Sequence, residues 1–286
     1  MLPETVRSPA PPPRPALPPR PARPPRVIVV PQPDAWRAAL ARTGAIVRHN
    51  TILMLREPGP LASRIVLPLA FLAILHPLYE AAQGRSAGVG QAVIATLVTF
   101  SLLALSIAGG SILTERIFHT WERVRASAAR PAEVLVGKAV PVMAALLAQQ
   151  ALIVGFGVVV LGLTVTSLPL LALAMVTWTL ALLALGAALG VLARSFAELS
   201  AAYDIGGMIL SSLGGALVPL AAMPGWVRHV APVSPGYWVA AALRAALRGD
   251  SAGTLSASAA LLGFALAFGL VAAVRAGRGW GRSARM

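Results

Sequence analysis

Apolar side chains run almost unbroken through six windows, near residues 61–79, 89–113, 139–163, 168–193, 199–220 and 255–274, and short charged or proline-bearing stretches separate them. A run of about 20 apolar residues suits a helix crossing the ~30 Å hydrocarbon core of a bilayer at about 1.5 Å per residue. The pattern predicts an all-α integral membrane protein with six transmembrane helices within residues 61–274. Before them, Asp34 can cap a helix over 34–57 on which Trp36, Leu40, Val47, Thr51 and Met54 fall roughly along one face while Arg37, Arg42 and Arg48 lie elsewhere. That arrangement predicts an amphipathic helix on the membrane surface, ended by Pro58 and Pro60. Between the fifth and sixth windows, residues 222–250 are too polar at Trp226-Val227-Arg228-His229 to span cleanly, and Pro224, Pro232 and Pro235 interrupt them. They predict a broken, partly re-entrant excursion.

The two ends of the chain differ from this middle. Residues 1–33 hold 13 of the 24 prolines, interspersed with arginine, and predict an extended, disordered, polyproline-like tail. It has no continuous apolar stretch of the signal-peptide kind. A proline-groove spacing at Pro15-Ala16-Leu17-Pro18-Pro19-Arg20 is what chance yields in such a composition. Residues 275–286 form a short basic tail.

Composition agrees with a bilayer location. The chain is 57% hydrophobic and 12% charged, with a mean hydropathy of +0.76, too apolar to be covered by a soluble surface. Cysteine is absent, which removes disulfides, thiolate metal sites and cysteine nucleophiles together. His49, His76, His119 and His229 are scattered singly, so no pair shares a helical face as zinc or haem ligands would. The net charge of +14 comes from 24 basic residues, all arginine except Lys138. With the N-terminus inside, twenty of them fall on inner segments and only Arg85, Arg228, Arg244 and Arg248 on outer ones. The positive-inside rule then places both termini in the cytoplasm and the chain in the cytoplasmic (inner) membrane. The arginines border apolar spans, where anionic lipid attracts them. No aromatic-interleaved basic fold is present, so nucleic acid is not a partner.

The connection between the second and third windows, Thr114 to Arg125, is charged yet compatible with a helix. Ile117, Trp121 and Val124 recur at i, i+4, i+7 on one face, while Glu115 and Glu122 share another. A short docking helix and a solvated loop both fit that pattern. Gly137-Lys138 does not complete a phosphate-binding loop, because Ala132 stands where the motif needs glycine and Ala139 where it needs a hydroxyl for magnesium. No soluble stretch is long enough to fold an ATPase. Any use of ATP and Mg must therefore reside in a partner chain, and this chain binds no cofactor of its own.

Glu115, Glu122, Glu133, Gly137 and Lys138 stand at intervals that resemble the first cytoplasmic loop of the membrane subunits (permeases) of ABC-2 type exporters, in particular the branch of daunorubicin and doxorubicin resistance permeases. Val47-Arg48-His49-Asn50 through Arg56-Glu57-Pro58, with Pro68 in the first span, resembles that family's amphipathic lead into the membrane. Pro219, Met223-Pro224-Gly225-Trp226, Pro232, Pro235 and Arg244 resemble its outer segment before the last span. The resemblance covers roughly residues 46–274. It implies a coupling helix that meets a cytosolic ABC ATPase through Glu115, Ile117, Trp121, Glu122, Val124, Glu133, Gly137 and Lys138. It also implies a second permease copy or paralogue as partner. The implied cargo is an amphipathic drug-like molecule, lipids and lipid-linked glycans being handled by close relatives.

Polar residues inside the windows have two readings. Thr99, Ser106, Gln149, Gln150, Ser211 and Ser212 either touch a transported substrate or bond between helices, and hydroxyls and amides in membranes more often do the latter. Asp204, at a cost of about 2.5–3.5 kcal/mol at the bilayer centre, belongs near an interface, beside an arginine or in a pathway. A carrier driven by an ion gradient would need more intramembrane carboxylates than Asp204 and Glu80. A membrane-embedded transferase or protease would need an acid–base or nucleophile cluster that the sequence lacks.

Overall fold

The computed structural model describes residues 35–56, 58–117 and 131–280, and every regular element among them is helical. In chain order they are α1 (Ala35–Leu55), α2 (Pro58–Gln83), α3 (Arg85–Leu103), α4 (Leu105–Ile117), α5 (Pro131–Leu161), α6 (Leu168–Leu192), α7 (Phe196–Leu213), α8 (Gly225–Val230), α9 (Pro235–Arg248) and α10 (Ser251–Trp280). Three-residue 3-10 turns at Leu220–Ala222 and Ala231–Val233 flank α8. The tail at 1–33, the segment 118–130 with Trp121, Glu122 and Val124, and residues 281–286 lie outside the described residues.

Five stretches are long and apolar enough to cross a bilayer: 62–83, 85–114, 133–161, 168–192 and 251–275. The expected fifth span, 199–220, differs. Its helix α7 ends at Leu213 after 18 residues, about 27 Å of rise against a core of ~30 Å, and falls short of the other five in length and apolarity. The apolar window continues past that point, but the backbone does not continue as helix. Gly215 takes φ 71°, a left-handed conformation that stops the α-helix, and Pro219 follows. Chain direction nevertheless carries α7 the length of the bundle. It starts where α6 finishes, and it ends beside Gln91, close to the opposite end of α3.

The helix made of α3 and α4 is the hub. Fourteen residues of α3 between Gly88 and Leu102 are buried, and 88% of this stretch's apolar window lies inside the protein, against 11% for α2 and 17% for α10. A helix apolar on all sides must be enclosed on all sides, and α2, α5, α7 and α9 enclose α3. The outer helices turn Ile65, Val66, Leu67 and Ile74 of α2, Val158–Val160 of α5 and Leu255, Leu266 and Leu270 of α10 outward, a belt that only a hydrocarbon solvent tolerates. Pro68 and Pro77 within α2 and Pro141 within α5 are of the kind membrane helices accommodate.

Close helix contact rests on missing side chains. A Cβ at Gly190 of α6 would lie 2.6 Å from the Gly109 carbonyl oxygen and 3.0 Å from its Cα on α4. The segment 222–250 packs likewise. After α8, α9 turns back into the protein, burying Val239, Ala240, Ala242, Leu243 and Ala246 against α6 and α10, and a Cβ at Gly214 would lie 2.3 Å from the Gly236 carbonyl carbon. These contacts cannot relax by rotamer change, since backbone meets backbone. Gly190→Val should therefore destabilise the detergent-solubilised protein by at least about 1–3 kcal/mol. Gly263→Ala on α10, where a Cβ meets nothing within 4 Å, should leave the thermal midpoint unchanged or slightly higher, by up to roughly 1 kcal/mol.

Candidate functional site

The first candidate region is the junction of α1 with the start of α5, the helix that follows the segment 118–130 in sequence. Helix α1 forms over 35–55 as the sequence suggests, and it packs along the beginning of α5. Arg42 Nε and Nη2 each donate to a different oxygen of Glu133, both at 2.8 Å. The fork of the guanidinium matches the carboxylate and fixes its orientation as well as its charge. Those hydrogen bonds hold the Arg42 guanidinium above its usual pKa, desolvation opposing them and the charge of Glu133 adding to them. Glu133 itself is buried. One turn further on α5, Gly137 lets Ile46 approach so closely that a Cβ there would stand 2.5 Å from Ile46 Cγ2. Glu133 and Gly137, four residues apart and so on one face of α5, both serve the seam with α1.

Of the other residues read as coupling positions, Glu115 lies in the last turn of α4, Ile117 ends that helix with its side chain exposed, and Lys138 is half-buried on α5. Trp121, Glu122 and Val124 fall outside the described residues.

The second region is the polar content of the spans. Thr99 and Ser211 hydroxyls meet at 2.7 Å between α3 and α7. Gln150 donates to Thr179 on α6 at 2.8 Å, and the Trp178 indole N–H donates to Ser101 at 3.2 Å. All of these residues are at least nine-tenths buried. Thr99, Gln150 and Ser211 thus link helices, and Gln149 beside them is buried as well. Ser106 and Asp204 differ in being exposed, and Ser212 is half-buried. Ser106, Gly110, Thr114 and Ile117 follow one face of α4, and Asp204, Ile205, Met208, Ile209 and Ser212 one broad face of α7. Since α4 and α7 pack together, a mixed polar and apolar strip runs over the outside of a single chain.

The third region joins α3, α9 and the turn after α7. Arg244 Nη2 and Nε donate to Gln91 Oε1 at 3.1 and 3.4 Å, and Nη2 donates also to the Gly215 carbonyl. Gln91 Nε2 donates to the carbonyls of Gly215, at 3.3 Å, and Ala216, and the Tyr79 hydroxyl donates to Leu217 at 2.7 Å. Those carbonyls lie in the turn that follows α7 and lack helical partners. Burial pushes the Arg244 guanidinium below its usual pKa, and the nearby charge of Arg248 pushes it further, against a smaller opposing effect of Tyr237. Of the expected outer-segment residues, Pro235 is buried at the first turn of α9, Pro219 is half-buried, and Pro224 and Trp226 are exposed. Sequence reading singled out Arg244 but not its partner Gln91, although an amide near the start of an otherwise apolar run was a usable signal. Arg42 was read only as part of the polar face of α1.

The two-point pair predicts a non-additive response at the α1–α5 seam. Arg42→Ala strands a buried carboxylate and should lower the thermal midpoint more than Arg42→Ala combined with Glu133→Gln. Arg42→Lys, which keeps the charge but loses the fork, should fall between wild type and Arg42→Ala. A thermal-unfolding double-mutant cycle checks this, and equal shifts for Arg42→Ala and the double variant would remove the pair as a structural element.

Comparison with curated proteins returns no match to this chain. A family model does match, that of the ABC-2 type transporter, over residues 41–247. The matched region runs from Arg42's helix through the hub of α3 and α4 to the end of α9, and so contains the α1–α5 seam, the strip on α4 and α7 and the Gln91–Arg244 knot. Covering well over half of the 286 residues, it establishes that the chain belongs to the ABC-2 type transporter family.

Proposed function

We propose that the protein is the permease subunit of an ATP-binding cassette exporter, working as one of a pair of membrane domains with two cytosolic ATPase subunits that hold ATP and Mg. The observation that carries this reading is the family match across 41–247 in a chain whose sequence has no phosphate-binding loop of its own. In this reading α7 is the sixth crossing. Both termini and the segment 118–130 then lie on the cytoplasmic side of the inner membrane, in line with the excess of arginine on those segments. The cargo class is an amphipathic, drug-like or lipid molecule, as in the daunorubicin and doxorubicin resistance branch. It moves by ATP-driven alternating access or lateral extrusion.

The exposed strip on α4 and α7 supports a pathway between two permeases. An ionised side chain turned to the lipid core costs about 2.5–3.5 kcal/mol, yet Asp204 lies exposed among Ile205, Met208 and Ile209. A second permease or a water-filled cleft facing that strip removes the penalty, and Ser106 and Ser212 then line the same space. Thr99, Gln150 and Ser211, already bonded between helices, hold the wall rather than line the lumen.

The ATPase grips the membrane domain through residues 115–138. Glu115 and Glu122 meet basic or amide groups, and Ile117, Trp121 and Val124 fill an apolar groove. The seam formed by Arg42–Glu133 and Ile46–Gly137 ties the start of α5 to α1, so that a displacement of the segment moves both helices together.

Trp121→Asp should abolish co-purification of the ATPase subunit and export, while leaving membrane insertion intact. Unchanged co-purification and export would refute the assignment of the handle. Topology is separately testable, because the chain has no native cysteine. A single Ala128→Cys variant should react with a membrane-impermeant maleimide only in inverted vesicles. Labelling from outside in intact cells would overturn the orientation.

A further inference from the structure

At the end of the bundle away from Ile117 and Pro131, three inter-helix turns converge around a cavity of about 700 Å³. They are the turn at Gly84 between α2 and α3, the one at 162–167 between α5 and α6, and the one at Gly249 between α9 and α10. The Thr166 amide donates to the Leu247 carbonyl at 3.2 Å and joins two of these turns. The polar wall includes Arg85, Arg244, Arg248, Gln83, Gln91 and Thr164, and no carboxylate lines it.

Three guanidiniums facing one space without a counter-charge repel one another. Among the described residues the side chains of Arg85 and Arg248 form no hydrogen bond or ion pair. Arg244 is half-buried and held in place by Gln91 and the Gly215 carbonyl. Its three bonds use Nε and Nη2, which leaves both N–H groups of Nη1 without a partner among the described residues. The cavity thus combines one immobilised, partly desolvated guanidinium with two free ones at its mouth. The first turn of α3, whose cap Gly84 supplies no side-chain hydrogen bond, forms part of the same wall, and its amides add positive potential there.

From this arrangement we infer that the cavity is a binding site for a phosphate-class anion, held by Arg244 at its base and by Arg85 and Arg248 at its mouth. Guanidinium forks match tetrahedral oxyanions in two-point geometry. The volume lies within the ~300–1,000 Å³ of small-molecule sites, which leaves room for a phosphate carrying an organic substituent. Both a phospholipid headgroup and a free phosphate offer the chemistry. The inference goes beyond the exporter reading and does not require it, since binding is measurable on the purified chain without an ATPase.

The test uses the full chain in neutral detergent, titrated with short-chain phosphatidylglycerol, with short-chain phosphatidylcholine and with inorganic phosphate, followed by thermal stabilisation and native mass spectrometry. Arg85→Gln with Arg248→Gln is the informative variant, because neither side chain makes a described internal bond and the unliganded midpoint should stay close to wild type. Phosphatidylglycerol should stabilise the wild type and bind roughly tenfold or more weakly to the double variant, with phosphatidylcholine ineffective in both. Competition by inorganic phosphate would identify the free anion as a sufficient ligand, and binding of the lipid alone would identify the headgroup. Equal binding by wild type and double variant, equal effects of the two lipids, or no binding by either phosphate source would overturn the inference.

Discussion

A polar group inside hydrocarbon has no solvent to bond with, and this shapes the protein more than any single contact. Backbone amides meet the constraint by forming helices. Side chains meet it by pairing across helix interfaces, and the pairs that result tie the hub to its neighbours: Thr99 with Ser211 to α7, Ser101 with Trp178 to α6, and Gln91 with Arg244 to α9. Each such bond is modest, about 0.6 kcal/mol on average and up to roughly 2 kcal/mol. Their effect is on specificity, because a helix rotated or shifted by one residue would leave both partners unsatisfied. Since lipid tails are as apolar as leucine, close packing of backbone at Gly109, Gly190 and Gly214 supplies the remaining attraction.

Where helices lie was largely legible in the sequence, because hydropathy over 20 residues measures the same quantity that the bilayer selects. Helix α1 was legible too, from its alternation of arginine with apolar residues. The end of α7 was not. Hydropathy is blind to backbone conformation, and Ala216, Leu217 and Val218 are as apolar in a turn as in a helix. The Gly214-Gly215 pair was the usable signal, since glycine is the residue that takes the left-handed conformation found at Gly215. The breaks in helix over 219–235 were legible from the prolines, whereas the depth to which α9 is buried was not, since its alanines suit a surface and an interior equally.

Residue roles were less legible than elements because they depend on partners distant in the chain. Glu133 and Gly137 stand at intervals that suggested contact with an ATPase, yet Arg42 and Ile46, 91 residues away from them, occupy both. The start of α5 is thus joined to α1, and it follows in sequence the segment that carries Trp121. Spacing along one helix could not identify what covers Glu133 and Gly137. The polar residues of the spans divide similarly. Thr99 and Ser106 look alike in sequence, seven residues apart, but one is enclosed against Ser211 and the other faces outward on α4.

Charge distribution separates the two ends of the molecule in a way that orientation alone does not explain. In the proposed orientation the arginine-rich segments follow the insertion bias, and arginine at the other end of the bundle opposes it and calls for a separate cause. Three of the four residues of that kind, Arg85, Arg244 and Arg248, come from two distant parts of the chain and converge on one cavity. Gln91, itself buried at 5% exposure, is committed to holding the innermost of them. A lysine at any of these positions would satisfy a need for charge, whereas the fork of Arg244 bonds an amide and a carbonyl of the turn after α7 through Nε and Nη2 and keeps Nη1 for the cavity. The same residue that closes the end of α7 therefore presents charge to the cavity, and the stability of that turn and the occupancy of the cavity are coupled through one side chain.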